Sequence, residues 1–154
     1  MSQTINHAMW THGTSVQIEY LQNVRNTFRR GWGTVIEGNH SFPNIGNWFH
    51  FAIPTPVIVS DRRLRIRQAM LVFKTGGDGV FVKSVHVWDS NNRIAAQDNL
   101  NLAGDHPFER FEVPNTPEVR FGIGISVGVV FSQGDPDRPN PITIEFNSAG
   151  VDFF

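Results

Sequence analysis

Cysteine is absent from this sequence, and net charge, tyrosine and long apolar runs are scarce. Without cysteine there is no disulfide, thiolate metal site or cysteine nucleophile, which fits a reducing compartment. The formal net charge of −1 creates no overall field for nucleic acid or anionic lipid, so we expect neither as a partner. No apolar stretch approaches the roughly 20 residues of a membrane-spanning helix, and Met1–Asn6 does not begin a signal peptide. These absences predict a cytoplasmic protein with no membrane partner.

The residues that are abundant are typical of many short strands. The 154 residues are enough for one domain with a real core, and 40% of them are apolar against 18% charged. Phenylalanine and tryptophan dominate the aromatic residues, with 13 Phe and 4 Trp against one Tyr, and 14 Gly and 9 Pro are spread along the chain. The composition predicts a single domain over residues 1–154 in which tight turns join short strands.

Alternation of apolar and polar residues recurs along the chain, whereas no window of about twelve residues keeps an uninterrupted helical period. The longest predicted strand, Val119–Phe131, is apolar at every second position. With turn signals at close spacing, eight or nine such strands predict an all-β fold, a two-sheet antiparallel β-sandwich of the jelly-roll kind. The predicted core consists of Val16, Ile18, Phe49, Phe51, Leu64, Ile66, Phe81, Val85, Phe121, Ile123, Ile125, Val127, Ile144 and Phe146.

Two predicted strands each place a tryptophan beside a histidine. Trp48 and His50 are two residues apart, as are His86 and Trp88, and side chains at this spacing share one face of a strand. A face of this kind suits stacking on a planar or sugar-like ligand, with imidazole supplying hydrogen bonds. The alternative is that these side chains belong to the core, where most tryptophans of a sandwich lie.

The predicted strand Val119–Phe131 has small residues opposite its apolar face, namely Gly122, Gly124, Ser126 and Gly128. Glycine weakens a strand interior, so a row of glycines indicates the close approach of a ligand or of another backbone. Together with the two Trp–His pairs, the sequence predicts a ligand-binding face formed by Trp48, His50, His86, Trp88, Gly122, Gly124 and Ser126. Tight packing against another strand or subunit is the alternative.

Other chemistry has weaker support in the sequence. None of the six histidines lies in a His-x-His arrangement, and we expect no metal site and no cofactor. The stretch Asp98–Glu112, with Asp105, His106 and Glu109, is the best place for acid–base work, and the alternative is a solvated loop. The arginines at 62, 63, 65 and 67 are expected to pair across strands rather than to bind nucleic acid.

Three phrases of the sequence are similar to one known family: Trp10–Gln17 (WTHGTSVQ), Asn47–Pro54 (NWFHFAIP) and Gly124–Val129 (GISVGV). They resemble a family of small bacterial proteins known only as a domain of unknown function. The resemblance covers most of the chain and implies a bacterial origin and one compact domain. It brings no activity and no catalytic residues.

Three functions remain open from the sequence. The first is a non-enzymatic, lectin-like module that binds a carbohydrate or a small amphipathic molecule on the Trp–His face. The second is a small enzyme with acid–base or cyclisation chemistry in an apolar pocket, using His50, His86 and one of Asp89, Asp105 or Glu109. The third is a structural protein whose glycine-rich strand and phenylalanine-ended C-terminus pack against another copy as a homo-oligomer.

Overall fold

The computed structural model describes residues 4–39, 45–132 and 140–154. Thirteen strands lie within these ranges: β1 (His7–His12), β2 (Gln17–Ile18), β3 (Val24–Arg30), β4 (Gly33–Gly38), β5 (Ile45–Ile53), β6 (Ile58–Val59), β7 (Arg62–Arg63), β8 (Ile66–Gly76), β9 (Phe81–Asp89), β10 (Asn92–Gln97), β11 (Asp105–Glu112), β12 (Ile123–Phe131) and β13 (Thr143–Phe153). Single 3₁₀ turns occupy Gly13–Ser15 and Leu21–Asn23. None of the helical segments in the described ranges has the length and apolarity to cross a membrane.

The strands form two antiparallel sheets. Sheet A has the order β11-β8-β13-β4-β3, and β1 also pairs with β13. Sheet B has the order β10-β9-β12-β5-β2, while β6 and β7 make a small separate ribbon. The predicted two-sheet antiparallel sandwich is therefore confirmed.

The core lies between the two sheets and is rich in phenylalanine. Phe49 and Phe51 of sheet B contact Phe146 of sheet A, with ring centroids 5.2 and 5.3 Å apart. As the apolar alternation of β12 predicts, one face of this strand lies in the core: its odd-numbered residues from Ile123 to Phe131 are all buried. Each fully buried side chain of this size stabilises the fold by about 1.5–3 kcal/mol. The even-numbered residues of β12 consequently point to the outer face of sheet B.

The structure has more strands than the eight or nine predicted. Strand β3 was missed because its residues from Arg25 to Arg30 are exposed on both faces and show no alternation. The two-residue strands β6 and β7 are too short to show a period. The predicted first strand around Val16–Tyr20 is reduced to Gln17–Ile18, since a 3₁₀ turn lies on either side of it.

The start of β12 was also predicted wrongly. Strand pairing begins at Ile123 rather than Val119, and Phe121 is 77% exposed instead of lying in the core. The cause is the buried carboxylate of Asp89, which accepts hydrogen bonds from the backbone N–H groups of Arg120, Phe121 and Gly122 at 2.7, 3.0 and 3.1 Å. These N–H groups are therefore turned away from a strand ladder.

Two further sequence predictions need correction. The sequence Gly76-Gly77-Asp78-Gly79 predicts a hairpin turn, but the segment joins strands of different sheets, because β8 lies in sheet A and β9 in sheet B. A run of apolar alternation identifies strands but does not say which sheet each one enters. Phe81, predicted as core, is half-buried. The polar, proline-rich stretch from Gly134 to Pro141, which the sequence predicts to be a loop, lies mostly outside the described residues.

Candidate functional site

The outer face of sheet B is organised around β12, which pairs with β5 on one side and β9 on the other. Three rows of side chains cross these strands: Ala52–Gly124–Trp88, His50–Ser126–His86 and Trp48–Gly128–Ser84. The central member of each row is glycine or serine, whereas tryptophan and histidine stand on the flanking strands. The result is a groove that follows β12, with a small-residue floor and aromatic walls, which we name the β12 groove.

A cavity of about 180 Å³ lies in this groove. It is lined by Glu19, Trp48, His50, His86, Trp88 and Ser126. Both tryptophans are half-buried, so neither is a core residue. Five of the seven residues predicted for a ligand-binding face thus lie together around one cavity. Whether they bind a ligand remains a prediction.

The other two predicted residues, Gly122 and Gly124, do not line this cavity. Gly124 is in β12, one row beyond Ser126 and directly opposite Trp88. Gly122 precedes β12 in the segment held by Asp89, and it does not line the cavity. A Cβ atom added to Gly124 would meet only the Phe51 carbonyl oxygen, at an ordinary 3.8 Å. Packing therefore does not require a glycine at 124, and the space above it is open.

His50 is held between a hydroxyl and a carboxylate. Its Nδ1 lies 2.8 Å from Ser126 Oγ and its Nε2 lies 3.1 Å from Glu19 Oε1. Because an ionised carboxylate only accepts hydrogen bonds, Nε2–H donates to Glu19, and in the neutral form of the ring Nδ1 accepts from the Ser126 hydroxyl. Ser126 and Glu19 both line the cavity, and each has acceptor lone pairs beyond its hydrogen bond to His50.

His86 has a similar arrangement on the opposite wall. Its Nε2 donates to Asp98 Oδ1 at 2.9 Å. The pKa of the Asp98 carboxyl is lowered, first by this hydrogen bond and then by one from the Ser84 hydroxyl. Asp98 therefore stays ionised at neutral pH and adds another acceptor beside the groove.

Trp48 reaches across the floor of the groove. A Cβ at Gly128 would lie 3.2 Å from two atoms of the Trp48 indole, so the ring lies directly over this glycine. The Trp48 and His86 rings, on strands either side of β12, are 4.9 Å apart with a 43° angle between their planes. Gly128 is thus explained by packing, because a side chain there would push the indole out of the groove.

The predicted acid–base carboxylates do not meet the two histidines. Asp89 binds backbone N–H groups before β12, and Asp105 and Glu109 lie on β11 in sheet A. The carboxylates that do contact His50 and His86 are Glu19 and Asp98. Asp98 belongs to the predicted acid–base stretch, but neither its contact with His86 nor the Glu19–His50 contact was predicted, because they depend on the pairing of β10 with β9 and of β2 with β5, which the sequence does not reveal. Ser84 could have been found, since it shares the period-two face of His86 and Trp88.

The hydrogen-bonded side chains of Ser126, His50 and Glu19 have the residue types of a hydrolase triad but not the surroundings of one. Ser126 lies in the middle of β12, which is paired with a strand on each side. The backbone N–H groups near it therefore donate to carbonyl groups of the neighbouring strands β5 and β9. Acyl transfer needs free N–H donors aimed at the developing oxyanion, and this position does not offer them.

His106 belongs to the predicted acid–base stretch but lies in sheet A, stacked on Phe73 at 4.8 Å. Burial lowers its pKa, yet hydrogen bonds to Glu109 Oε1 and the Ala103 carbonyl, both 2.8 Å long, outweigh burial and raise the pKa above the ordinary 6.5. The charged ring therefore favours folding below about pH 6.5, and this stabilisation is lost as the pH rises through the raised pKa.

A pH comparison tests the role of His106. We expect His106→Gln to lower the free energy of unfolding more at pH 5.5 than at pH 9, because only the protonated imidazole donates to both Glu109 and Ala103. Urea unfolding of both proteins at the two pH values measures the difference. An equal loss at both would show that the ring acts by packing alone.

Larger cavities lie at one end of the sandwich. One of about 480 Å³ is lined by His7, Val59, Ser60, Arg62, Leu64 and Phe154, and another of about 440 Å³ shares Arg62 and Phe154 with it. Arg63 and Arg65 at this end donate hydrogen bonds to backbone carbonyl groups within residues 116–120. Size alone does not make these cavities the better site, because they lack facing aromatic walls. No group of three or more potential metal ligands occurs in the described ranges.

Comparison with solved structures places carbohydrate-binding modules among the matches. TmCBM61 in complex with β-1,4-galactotriose is 14% identical, with a TM-score of 0.43 and 96% of this chain and 86% of that chain covered. The CBM36-1 domain of a multidomain xylanase from the hindgut metagenome of Trinervitermes trinervoides is 9% identical, with a TM-score of 0.42 and 94% and 96% covered. CBM29_1 of Piromyces equi is 12% identical, with a TM-score of 0.40 and 94% and 89% covered. Likenesses this distant say nothing about what the present chain binds.

Among curated protein sequences, none matches this chain. A family model, in contrast, matches residues 4–154, almost the whole sequence. This match confirms the resemblance to a family of unknown function that three phrases of the sequence indicated. The protein belongs to that family, which is described as a family of unknown function (DUF6623).

Proposed function

We propose that this protein is a non-enzymatic carbohydrate-binding module and that the β12 groove is its binding site. One observation carries the proposal: Trp48, Trp88, His50 and His86 are half-buried around one open cavity instead of being packed in the core. A sugar ring has apolar C–H faces and a rim of hydroxyl groups. The groove offers a complementary surface of both kinds.

The aromatic walls supply the apolar part of this surface. Indole rings bury a large apolar area at a low cost in side-chain entropy, and their N–H groups remain free to hydrogen-bond. Among the described residues, the structure gives neither the Trp48 nor the Trp88 indole N–H a hydrogen-bond partner. Both donors are therefore available to a ligand.

The polar groups of the groove favour a ligand with many O–H donors. Ser126 and Glu19 keep acceptor lone pairs beyond their hydrogen bonds to His50, and Asp98, which accepts from His86 and Ser84, is an ionised carboxylate with further lone pairs beside His86. Neighbouring acceptors of this kind would repel an anion and would leave an aliphatic ligand unable to satisfy them. A polyhydroxylated molecule satisfies them, which is why we prefer a sugar to the small amphipathic alternative.

Titration calorimetry with galactose, glucose and xylose, and with their β-1,4-linked oligomers, tests this function. For so small a cavity we expect dissociation constants on the order of 0.1–1 mM with at least one series. Reducing-end assays after long incubation should show no cleavage of any oligomer. Cleavage, or the absence of binding to all three series, would contradict the proposal.

Gly124→Ala separates folding from binding at this site. The added methyl group meets no close neighbour, and the position does not have a positive φ, so we expect the free energy of unfolding to rise by about 0.5–1 kcal/mol. The same methyl group raises the groove floor beside Trp88, so sugar affinity should fall. Urea unfolding and calorimetry on one preparation measure both effects.

Gly31→Ala is the matched control for Gly124→Ala, because a Cβ at Gly31 meets nothing within 4 Å, a Cβ at Gly124 meets only one atom at an ordinary 3.8 Å, and Gly31 lies outside the groove. We expect it to leave sugar affinity unchanged. If Gly124→Ala binds the sugar as well as the native protein does, the floor of the groove is not a contact surface.

A further inference from the structure

Beyond Trp48, the β12 groove continues into a second cavity. This cavity has a volume of about 260 Å³ and is lined by Gly46, Asn47, Trp48, Lys83, Ser84, Gly128, Val129 and Val130. Trp48 belongs to the linings of both cavities. Since its ring lies over Gly128, the indole forms a platform between them rather than a wall that closes either one.

We propose that the two cavities are adjacent subsites for one ligand, an extended oligosaccharide of at least two sugar residues that crosses over the Trp48 indole. This inference rests on the proposed function and specifies its ligand class. Pockets for small ligands usually measure about 300–1,000 Å³. Neither cavity reaches that range alone, whereas the two together fall within it.

The shape of the groove favours a chain over a single ring. From Gly124 to Val130 the floor follows one strand for six residue-to-residue steps, which at about 3.4 Å per step is roughly 20 Å. That length exceeds a single pyranose ring. A strand is extended, so a groove that follows it suits an extended chain such as a β-1,4-linked oligosaccharide. Gly46, at the far end of the groove, is exposed.

Lys83 gives the second cavity a charged donor, whereas the donors of the first cavity are uncharged indole N–H groups. A register shift between Gly128 and Val129 in the pairing of β12 with β9 places Lys83 beside Ser84 at the cavity. Lys83 is exposed, and no side chain in the described ranges pairs with its ammonium group. The ammonium group has three donors and suits the hydroxyl and ring oxygens of a second sugar residue. The oligosaccharide would thus meet carboxylate and hydroxyl acceptors with indole donors in the first cavity, and an ammonium donor in the second.

Affinity as a function of chain length tests the inference. Calorimetry with the monosaccharide, disaccharide and trisaccharide of the β-1,4-linked galactose, glucose and xylose series should show at least about tenfold tighter binding of a disaccharide than of its monosaccharide. Lys83→Ala should weaken disaccharide binding about fivefold or more and leave monosaccharide binding unchanged. Gly46→Leu, which fills the second cavity from an exposed position, should have the same effect.

Lys74→Ala, at the exposed lysine of sheet A, is the control and should change neither affinity. If a monosaccharide binds as tightly as its oligomers and neither variant alters disaccharide binding, the second subsite does not exist and the proposed function still stands. If no member of any series binds, the proposed function itself fails. The two failures are therefore distinguishable.

Discussion

Trp88→Ala will lower the affinity for the best-bound sugar at least about 30-fold, which corresponds to about 2 kcal/mol. Trp88 stands opposite Gly124 and lines the first cavity, so in the proposed function its indole is the wall against which a sugar ring would stack. Truncation to alanine removes the apolar contact area and a free N–H donor together. Calorimetric titration of the variant with the same sugar measures the loss.

Trp32→Ala is the matched control for Trp88→Ala. Trp32 is 60% exposed, and its Nε1 donates to Glu145 in sheet A, away from the β12 groove. We expect it to leave sugar affinity unchanged, and both variants should keep the circular dichroism of the native fold. If both variants lose the same sugar affinity, or if Trp88→Ala binds the sugar normally, the β12 groove is not the sugar-binding site.

Asp89→Ala will destabilise the fold by about 3–5 kcal/mol, the scale for deleting one partner of a buried charged network. Asp89 is 6% exposed and its two oxygens accept three backbone hydrogen bonds from residues 120–122. Alanine leaves these three N–H groups without an acceptor at the turn that feeds β12. Guanidinium unfolding measures the loss.

Two further variants establish the cause of that loss. Asp89→Asn keeps one acceptor oxygen and loses the other, so its stability should fall between those of the alanine variant and the native protein. Asp78→Ala, at an exposed loop aspartate, should change the unfolding free energy by less than about 0.5 kcal/mol. An Asp89→Ala protein as stable as Asp78→Ala would mean that the carboxylate does not organise this turn.

Alternation was sufficient to predict the sandwich because its long strands bury one face each. Ile125 and Val127 are buried while Ser126 between them faces outward, and this pattern is visible in the sequence. Strands that are exposed on both faces, such as β3, carry no such pattern. Phe121 shows the opposite error, since its place in an apolar alternation predicted burial but the Asp89 carboxylate draws its backbone out of the strand.

The candidate site was predictable to the extent that it lies on individual strands. Trp48 with His50, and His86 with Trp88, could be paired by their spacing of two residues. Their meeting across Ser126 depends on the register of β12 with both neighbours, which periodicity does not fix. Assembly of copies through the glycine-rich strand stays a prediction. Gly128 has a packing role under Trp48, and Gly124 is open toward the groove.

The most direct test of the β12 groove is an NMR titration that follows the four tryptophan indole N–H signals as β-1,4-linked galactose, glucose or xylose disaccharide is added. We expect the signals of Trp48 and Trp88 to shift with the sugar concentration and saturate, whereas those of Trp10 in β1 and Trp32 in the turn between β3 and β4 stay in place. Shifts confined to Trp10 or Trp32, or no shift of any indole signal with all three disaccharides, would contradict it.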